Sequence, residues 1–210
     1  MQQQDKRTAL ILGASGLVGS ELLQLLLQDE RYQQVTCFLR QPLSAKVIDC
    51  HGDKIEPIVV DFDHLSDYLS YFSVDHIYVC LGTTIKQAGS KEDFKRVDYD
   101  YVYAAATCAS EAGAGSFVWI SSIGANPSSR NFYLRTKGEL ERDINGLGQL
   151  QAQCVQPSLL IGKRPGFRLG EWLAIKLRYI YQWLLTGPLI KYKPIEASEV
   201  ARLMIARQIW

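Results

Sequence analysis

Tyr133 and Lys137 stand four residues apart in the run Tyr133-Leu-Arg-Thr-Lys137. On a helix that spacing sets both side chains on one face, with an ammonium beside a phenol. A phenol ordinarily ionises near pH ~10, and a neighbouring positive charge favours its phenolate, which moves it toward the working range of a general acid or base. The pair is the only Tyr-x-x-x-Lys in the chain, and Trp119-Ile-Ser121-Ser122 precedes it. A serine hydroxyl at a strand tip can hydrogen-bond a carbonyl oxygen. Either Ser121 or Ser122 could make that contact. Together Ser122, Tyr133 and Lys137 form a proton relay suited to interconverting a carbonyl and an alcohol.

A second chemical signature lies near the start, in Thr8-Ala-Leu-Ile-Leu-Gly13-Ala-Ser-Gly16-Leu-Val-Gly19. A strand pattern breaks into spaced glycines and turns helical. Gly13 permits a tight turn, Gly16 lets backbone N–H groups approach a pyrophosphate, and Gly19 lets the helix pack closely on the strand. The helix N-terminus adds free donors and partial positive charge. At the next strand end, Phe38-Leu39-Arg40 puts a guanidinium where a 2′-phosphate would sit, so Arg40 favours NADP(H) over NAD(H). Asp61, after Val59-Val60, can accept from an adenine amino group or initiate a turn. Gly82, in Leu81-Gly82-Thr83-Thr84, lets backbone lie against ribose and pyrophosphate or simply begins a loop.

The elements that must position these residues alternate. Strand-like runs at 9–12, 34–39, 55–60, 76–81, 116–121 and 152–156 are separated by helical segments at 17–28, 91–112 and 132–145 and a short one after Asp63. That alternation predicts an α/β fold, a Rossmann-like doubly wound parallel sheet in a single domain over 1–210. Beyond Pro157 a loop at 162–170, an aromatic helix at 171–185 and a last helix at 197–207 read as a small helical cap, 158–210, on the sheet's carboxyl edge.

Composition narrows the class. With Lys+Arg at 23 against Asp+Glu at 22, the chain has no basic field, which argues against nucleic acid. The polar opening Met-Gln-Gln-Gln-Asp-Lys-Arg has no secretory leader pattern and no apolar run reaches membrane length, so a cytoplasmic protein without a membrane span is expected. Five scattered cysteines fit reduced, mostly buried thiols. His51, His64 and His76 lack metal-ligand spacing and read as surface or turn residues, so no metal site is expected.

With these motifs in hand, the sequence resembles the short-chain dehydrogenase/reductase superfamily, and within it the atypical, Tat-interacting-protein-like NADPH-binding oxidoreductases. Ile11-Leu-Gly-Ala-Ser-Gly16, Val60-Asp-Phe-Asp63, Cys80-Leu-Gly-Thr-Thr84, Arg96-Val-Asp-Tyr-Asp-Tyr-Val102, Ser121-Ser122, Tyr133-Leu-Arg-Thr-Lys-Gly-Glu139 and Gly170-Glu-Trp-Leu173 carry the likeness. It implies that Ser15, Gly16, Leu17 and Val18 line the pyrophosphate turn and that Arg40 meets the 2′-phosphate. Leu81 and Gly82 would flank the adenosine side, Tyr133 would exchange the proton, and Lys137 would hold the nicotinamide ribose. Pro157 and Leu160 would wall the nicotinamide, and Arg168 would reach a cofactor phosphate. The chain departs from the family pattern in three places: Gln41 replaces a second arginine, Gln156-Pro157-Ser158 replaces Arg-Pro-Gly, and extra residues near Arg168 make Arg164 its rival.

The expectation is an NADP(H)-dependent oxidoreductase acting on a small-molecule carbonyl or alcohol, as a monomer or homodimer. The competing class is a non-catalytic NADP(H)-binding regulatory or redox-sensing protein acting through partner binding. A nucleotide-sugar epimerase or dehydratase is disfavoured, because too few residues follow the sixth strand to build a sugar-nucleotide subdomain.

Overall fold

Arg7–Leu12 (β1) is apolar on both faces, as a strand covered on two sides must be. Ala9 and Ile11 enter one core while Leu10 and Leu12 enter another. A computed structural model describes residues 6–43, 52–161 and 193–209. Five further strands join β1: Tyr32–Leu39 (β2), Ile55–Val59 (β3), His76–Val79 (β4), Ser116–Ile120 (β5) and Ala152–Val155 (β6). They form one sheet in the order β3-β2-β1-β4-β5-β6, every pair parallel. Pro57 is accommodated because β3 is an edge strand.

Because all strands run the same way, their carboxyl ends share one edge. The order reverses between β1 and β4, and at such a switch point the connections diverge and leave a crevice. One face of the sheet is covered by Leu17–Gln28 (α1), through Val18, Leu22, Leu23, Leu26 and Leu27, and by a final helix with Val200, Ala201 and Met204. The other face is covered by the 3₁₀ segment Phe62–Phe72 and two longer helices described below.

After β4 come Ile85–Ala88 (α2), Lys91–Lys95 (α3), a π-helical turn at Arg96–Asp100 and Tyr101–Glu111 (α4). Phe132–Asn145 (α5) follows β5. A short parallel pair, Leu160–Ile161 (β7) with Ile195–Glu196 (β8), precedes Ala197–Ala206 (α6).

The doubly wound architecture matches the sequence expectation, and five details correct it. The strands expected at 9–12 and 34–39 end as expected, whereas the other four overrun by one or two residues at their carboxyl ends. There the next N–H still bonds sideways, as from Val60 to Leu39 O, Cys80 to Leu12 O and Ser121 to Val155 O, but the ladder stops. The helix expected over 91–112 contains the π turn, and the one expected after Asp63 is a 3₁₀ segment capped by Asp61. His76, expected at a surface or turn, is buried inside β4. Finally, α6, assigned to the cap, packs on the α1 face.

Candidate functional site

The glycine turn leaves β1 at the switch point. Gly13 has φ of +89°, and a Cβ there would meet the Cys80 carbonyl carbon and oxygen at 2.9 Å. Only glycine suits both the left-handed backbone and that approach. Gly16 donates its N–H to Gly13 O at 3.0 Å and takes the N-cap position of α1. A Cβ at Gly19 would stand 2.1 Å from Gly13 O, so the first helical turn is pressed onto the loop. No side chain caps α1 and no acidic residue occupies its first turn. Ser15 and Gly16 are exposed, Leu17 is half-buried and Val18 is buried beneath them. The result is a cradle of first-turn N–H donors without a side-chain acceptor, which fits a pyrophosphate.

The other residues singled out from sequence lie along the same edge. Arg40 is exposed just past β2. Leu81 and Gly82 follow β4, beside the Gly13 turn. Buried Pro157 follows β6 and accepts the Ile123 N–H at 3.1 Å through its carbonyl, with half-buried Leu160 beyond it. Asp61 is exposed and takes the turn-initiating role: Oδ1 accepts the Asp63 N–H at 3.0 Å and Oδ2 lies 2.8 Å from His64 Nδ1. The contact with His64 holds the Asp61 carboxyl below its usual range and raises the imidazole. Arg164, Arg168 and the helix expected over 171–185 lie outside the described residues.

The Tyr133–Lys137 pair is set by α5. Asn131 Oδ1 accepts the Leu134 N–H at 3.2 Å, which starts the helix at Phe132 and puts Tyr133 in its first turn. Phe94 supports the phenol ring, with centroids 5.6 Å apart. One turn on, Lys137 is 2 % exposed. Its Nζ lies 2.8 Å from Asp98 Oδ1 and 3.5 Å from Ile120 O at the tip of β5. The two serines diverge. Ser121 is buried and donates to Glu141 Oε1, while half-buried Ser122 makes one long contact, 3.4 Å to the Ile123 carbonyl. Glu141 also receives Gln156 Nε2 at 2.8 and 3.0 Å. Gln156 thus reaches both carboxylate oxygens through its one amide nitrogen. Among the described residues the Tyr133 hydroxyl has no hydrogen-bond partner.

Sequence reasoning missed three contributors. Asp98 shares the helix stripe of Phe94, Val102 and Ala105, all buried. An acid on such a stripe signals a buried cation opposite. Glu141 continues the Tyr133–Lys137 face by one more turn. At Gly138 a Cβ would meet the Asn126–Pro127 backbone at 2.3 Å, so α5 is seated against that loop. Among the described thiols, burial pushes Cys37 up to about 12 and Cys154 up to about 11, and it raises Cys80 and Cys108 as well. Among the described residues no group of three or more His, Cys, Asp or Glu side chains could hold a metal, and no helix is long and apolar enough to cross a membrane.

The family model described as NAD(P)H-binding matches residues 13–160. Protein FMP52, mitochondrial, of Debaryomyces hansenii is 32 % identical over 203 residues, covering 94 % of this chain and 86 % of its own. Protein HTATIP2 of Rattus norvegicus is 36 % identical over 171 residues, covering 81 % and 69 %. Among solved structures, Pen from Bacillus thuringiensis superposes with a TM-score of 0.74 at 18 % identity, over 98 % of this chain and 67 % of that one. MoeE5 in complex with UDP-glucose and NAD gives 0.69 at 16 % identity, over 96 % and 71 %, and both likenesses speak to the fold. The FMP52 relatives are named as mitochondrial proteins, which overturns the cytoplasmic expectation. A polar opening and the lack of a membrane-length run do not separate those two compartments. The family match spans the glycine turn, β4, β5 and α5, and the chain belongs to the NAD(P)H-binding family, in the atypical short-chain dehydrogenase/reductase group that includes HTATIP2 and FMP52.

Proposed function

We propose that this chain is an NADP(H)-dependent oxidoreductase that reduces the carbonyl of a small molecule. The reading rests on one observation above all: Ser122, Tyr133 and Lys137 follow β5, the strand paired with β4, and so come at the same carboxyl edge of the sheet as the Gly13–Gly19 cradle. When bound, the reduced nicotinamide supplies a hydride to the carbonyl carbon. In this reading the first-turn N–H groups from Ser15 to Val18 hold the pyrophosphate and Arg40 holds the 2′-phosphate. Leu81 and Gly82 lie along the adenosine side, and Pro157 and Leu160 shield the nicotinamide from water. Lys137 donates to the nicotinamide ribose. Ser122 Oγ donates to the carbonyl oxygen and fixes its direction, and Tyr133 delivers its hydroxyl proton to that oxygen as negative charge develops.

The second reading, an NADP(H)-binding regulator without turnover, draws on the ion pair of Lys137 with Asp98, which offsets the charge that would tune Tyr133. Tyr133→Phe separates the two. For an enzyme, NADPH affinity is kept while turnover of a carbonyl found by screening falls about 10²–10⁴-fold. Full activity in the variant removes Tyr133 from the proton transfer. NADPH binding with no carbonyl turned over by the wild type favours the regulator.

A further inference from the structure

His76 is buried in β4 and takes no part in the nucleotide site described above. Its Nε2 lies 2.9 Å from the Ile209 carbonyl oxygen, which can only accept, so Nε2 carries the proton of the neutral ring and Nδ1 is an acceptor. The Tyr32 hydroxyl, 2.6 Å away, must donate to Nδ1. That uses the one proton Tyr32 has, so the Tyr78 hydroxyl, 2.8 Å from it, donates to Tyr32. Gln208 hydrogen-bonds Tyr78 in the sense that favours a phenolate, so its amide is the donor there. The same amide donates to Ile77 O at 3.1 Å, while the Gln208 side-chain oxygen accepts from Ser116. The donors therefore run in one direction, from Gln208 through two phenols to His76 and on to Ile209. Both ends of this chain lie in the segment after α6, and all five side chains are buried.

A proton added to His76 has no place in that order. Nδ1 becomes a donor facing the Tyr32 donor, and the phenols can turn only by presenting the Tyr78 proton to the Gln208 amide, donor against donor. Turning the amide over mends that clash and gives up the bond to Ile77 O. The surrounding groups offer the added charge no spare partner. Tyr32 faces the ring from β2, Tyr78 from β4, Arg7 from β1, Arg31 from the turn before β2, and Asp75 from the residue ahead of β4. Asp75 is already engaged by Arg7 and by the Thr8 N–H and hydroxyl, and Ser116, beside His76 in β5, does not titrate. Burial outweighs the Ile209 carbonyl and Asp75 and keeps the ring neutral below its ordinary range.

We propose that the Tyr32–His76–Tyr78 chain is a proton-operated latch, which fastens the segment after α6 to the sheet while His76 is neutral and releases it when His76 is charged. The latch reaches the underside of the glycine turn, because Met204 of α6 lies 3.7 Å, sulfur to sulfur, from Cys80, whose carbonyl backs Gly13. The inference does not depend on which nucleotide the chain binds.

Hydrogen exchange of the full chain, read by mass spectrometry and corrected for the intrinsic effect of pH on exchange, tests it. Between about pH 7.5 and about pH 5, protection over 203–209 should fall about tenfold or more, while protection over 132–145 in α5 stays within about threefold. His76→Gln can donate to Ile209 and accept from Tyr32 without titrating, so in that variant protection over 203–209 should hold within about threefold across the same range. Unchanged protection in the wild type, an equal fall in both segments, or a variant that follows the wild type each overturns the proposal. If His76→Gln does not fold, the wild-type imidazole is followed by NMR through its Cε1–H resonance. Charging of His76 in step with the loss of protection over 203–209 sustains the latch, and charging while that protection persists refutes it.

Discussion

The two edges of the sheet treat their polar side chains in opposite ways. At the amino edge, Tyr32 opens β2, His76 opens β4 and Ser116 opens β5, and all three are buried. His76 Nε2 lies 2.9 Å from Ile209 O, an acceptor, so this nitrogen carries the proton and Nδ1 accepts from Tyr32 Oη at 2.6 Å. Tyr32 Oη in turn lies 2.8 Å from Tyr78 Oη. Gln208 Nε2 reaches Ile77 O at 3.1 Å, and Ser116 donates to the Gln208 side chain. At the carboxyl edge, the Tyr133 hydroxyl has no partner among the described residues, Ser122 makes one long contact, and the first turn of α1 lacks a side-chain cap. A closed network fastens the segment after α6 to the sheet, whereas groups left open are the ones a ligand can satisfy.

The sharpest break of this contrast pairs one substitution from each edge. Tyr32→Phe strips the His76 Nδ1 acceptor of its donor inside the core and should cost about 1–3 kcal/mol in denaturant unfolding, with NADPH affinity unaltered. Ser122→Ala should leave unfolding within about 0.5 kcal/mol while lowering carbonyl turnover. If Ser122→Ala proves the more destabilising of the two, the division between a structural and a functional edge fails.

A smaller effect follows from His76. Burial holds its imidazole below the usual range, against the opposing pull of the Ile209 carbonyl and Asp75, while Arg7 and Arg31 add to the lowering. Tyr32 and Tyr78 also face it, and burial raises both phenols, so neither ionises in the acid range. The unfolded chain therefore binds a proton at this residue before the folded one does. The contribution is present above the ordinary histidine value and declines as pH falls from about 6.5, with a slope of at most about 1.4 kcal/mol per pH unit. Thermal unfolding followed from pH 7 to 5 should show a steeper loss in the wild type than in His76→Gln. Parallel curves would mean that this histidine charges as readily in the folded state as in the unfolded one.

What could be read from sequence, and what could not, follows the same divide. The glycine turn and the Tyr133–Lys137 pair were legible because each is local: a φ of +89° at Gly13 and an i, i+4 spacing are encoded by adjacent residues. Strand identity was legible from apolar runs such as 9–12. The Asp98–Lys137 pair and the Tyr32–His76–Tyr78 chain join residues 39 to 46 positions apart, and spacing says nothing of such partners. His76 read as a surface residue because an isolated polar side chain looks the same in sequence whether or not a strand buries it. Strand ends were overcalled because apolar character continues past the ladder into residues such as Val60 and Leu81, which pack with the core beyond the last strand residue.

The finest test compares two arginines. Arg7, at the amino edge, is held by Asp75, with Nη1 2.9 Å from Oδ1. Burial alone would raise the Asp75 carboxyl, but the Thr8 N–H and hydroxyl and the Arg7 guanidinium together keep it below its usual range. Arg40, at the carboxyl edge, is exposed and has no ion-pair partner among the described residues. An exposed, unpaired guanidinium adds little to stability, so Arg40→Ala should leave unfolding within about 0.5 kcal/mol. Its effect belongs to the ligand: hydrogen bonds to a phosphate dianion are charge-assisted, and losing them should weaken NADPH by about tenfold or more. NADH, which lacks the 2′-phosphate, should keep its affinity within about twofold. Titrating both nucleotides into wild type and variant gives four dissociation constants, and the wild-type preference for NADPH should disappear in Arg40→Ala. Equal affinities in the wild type would reject the NADP(H) assignment, and a preference that survives the substitution would move the 2′-phosphate contact to another residue.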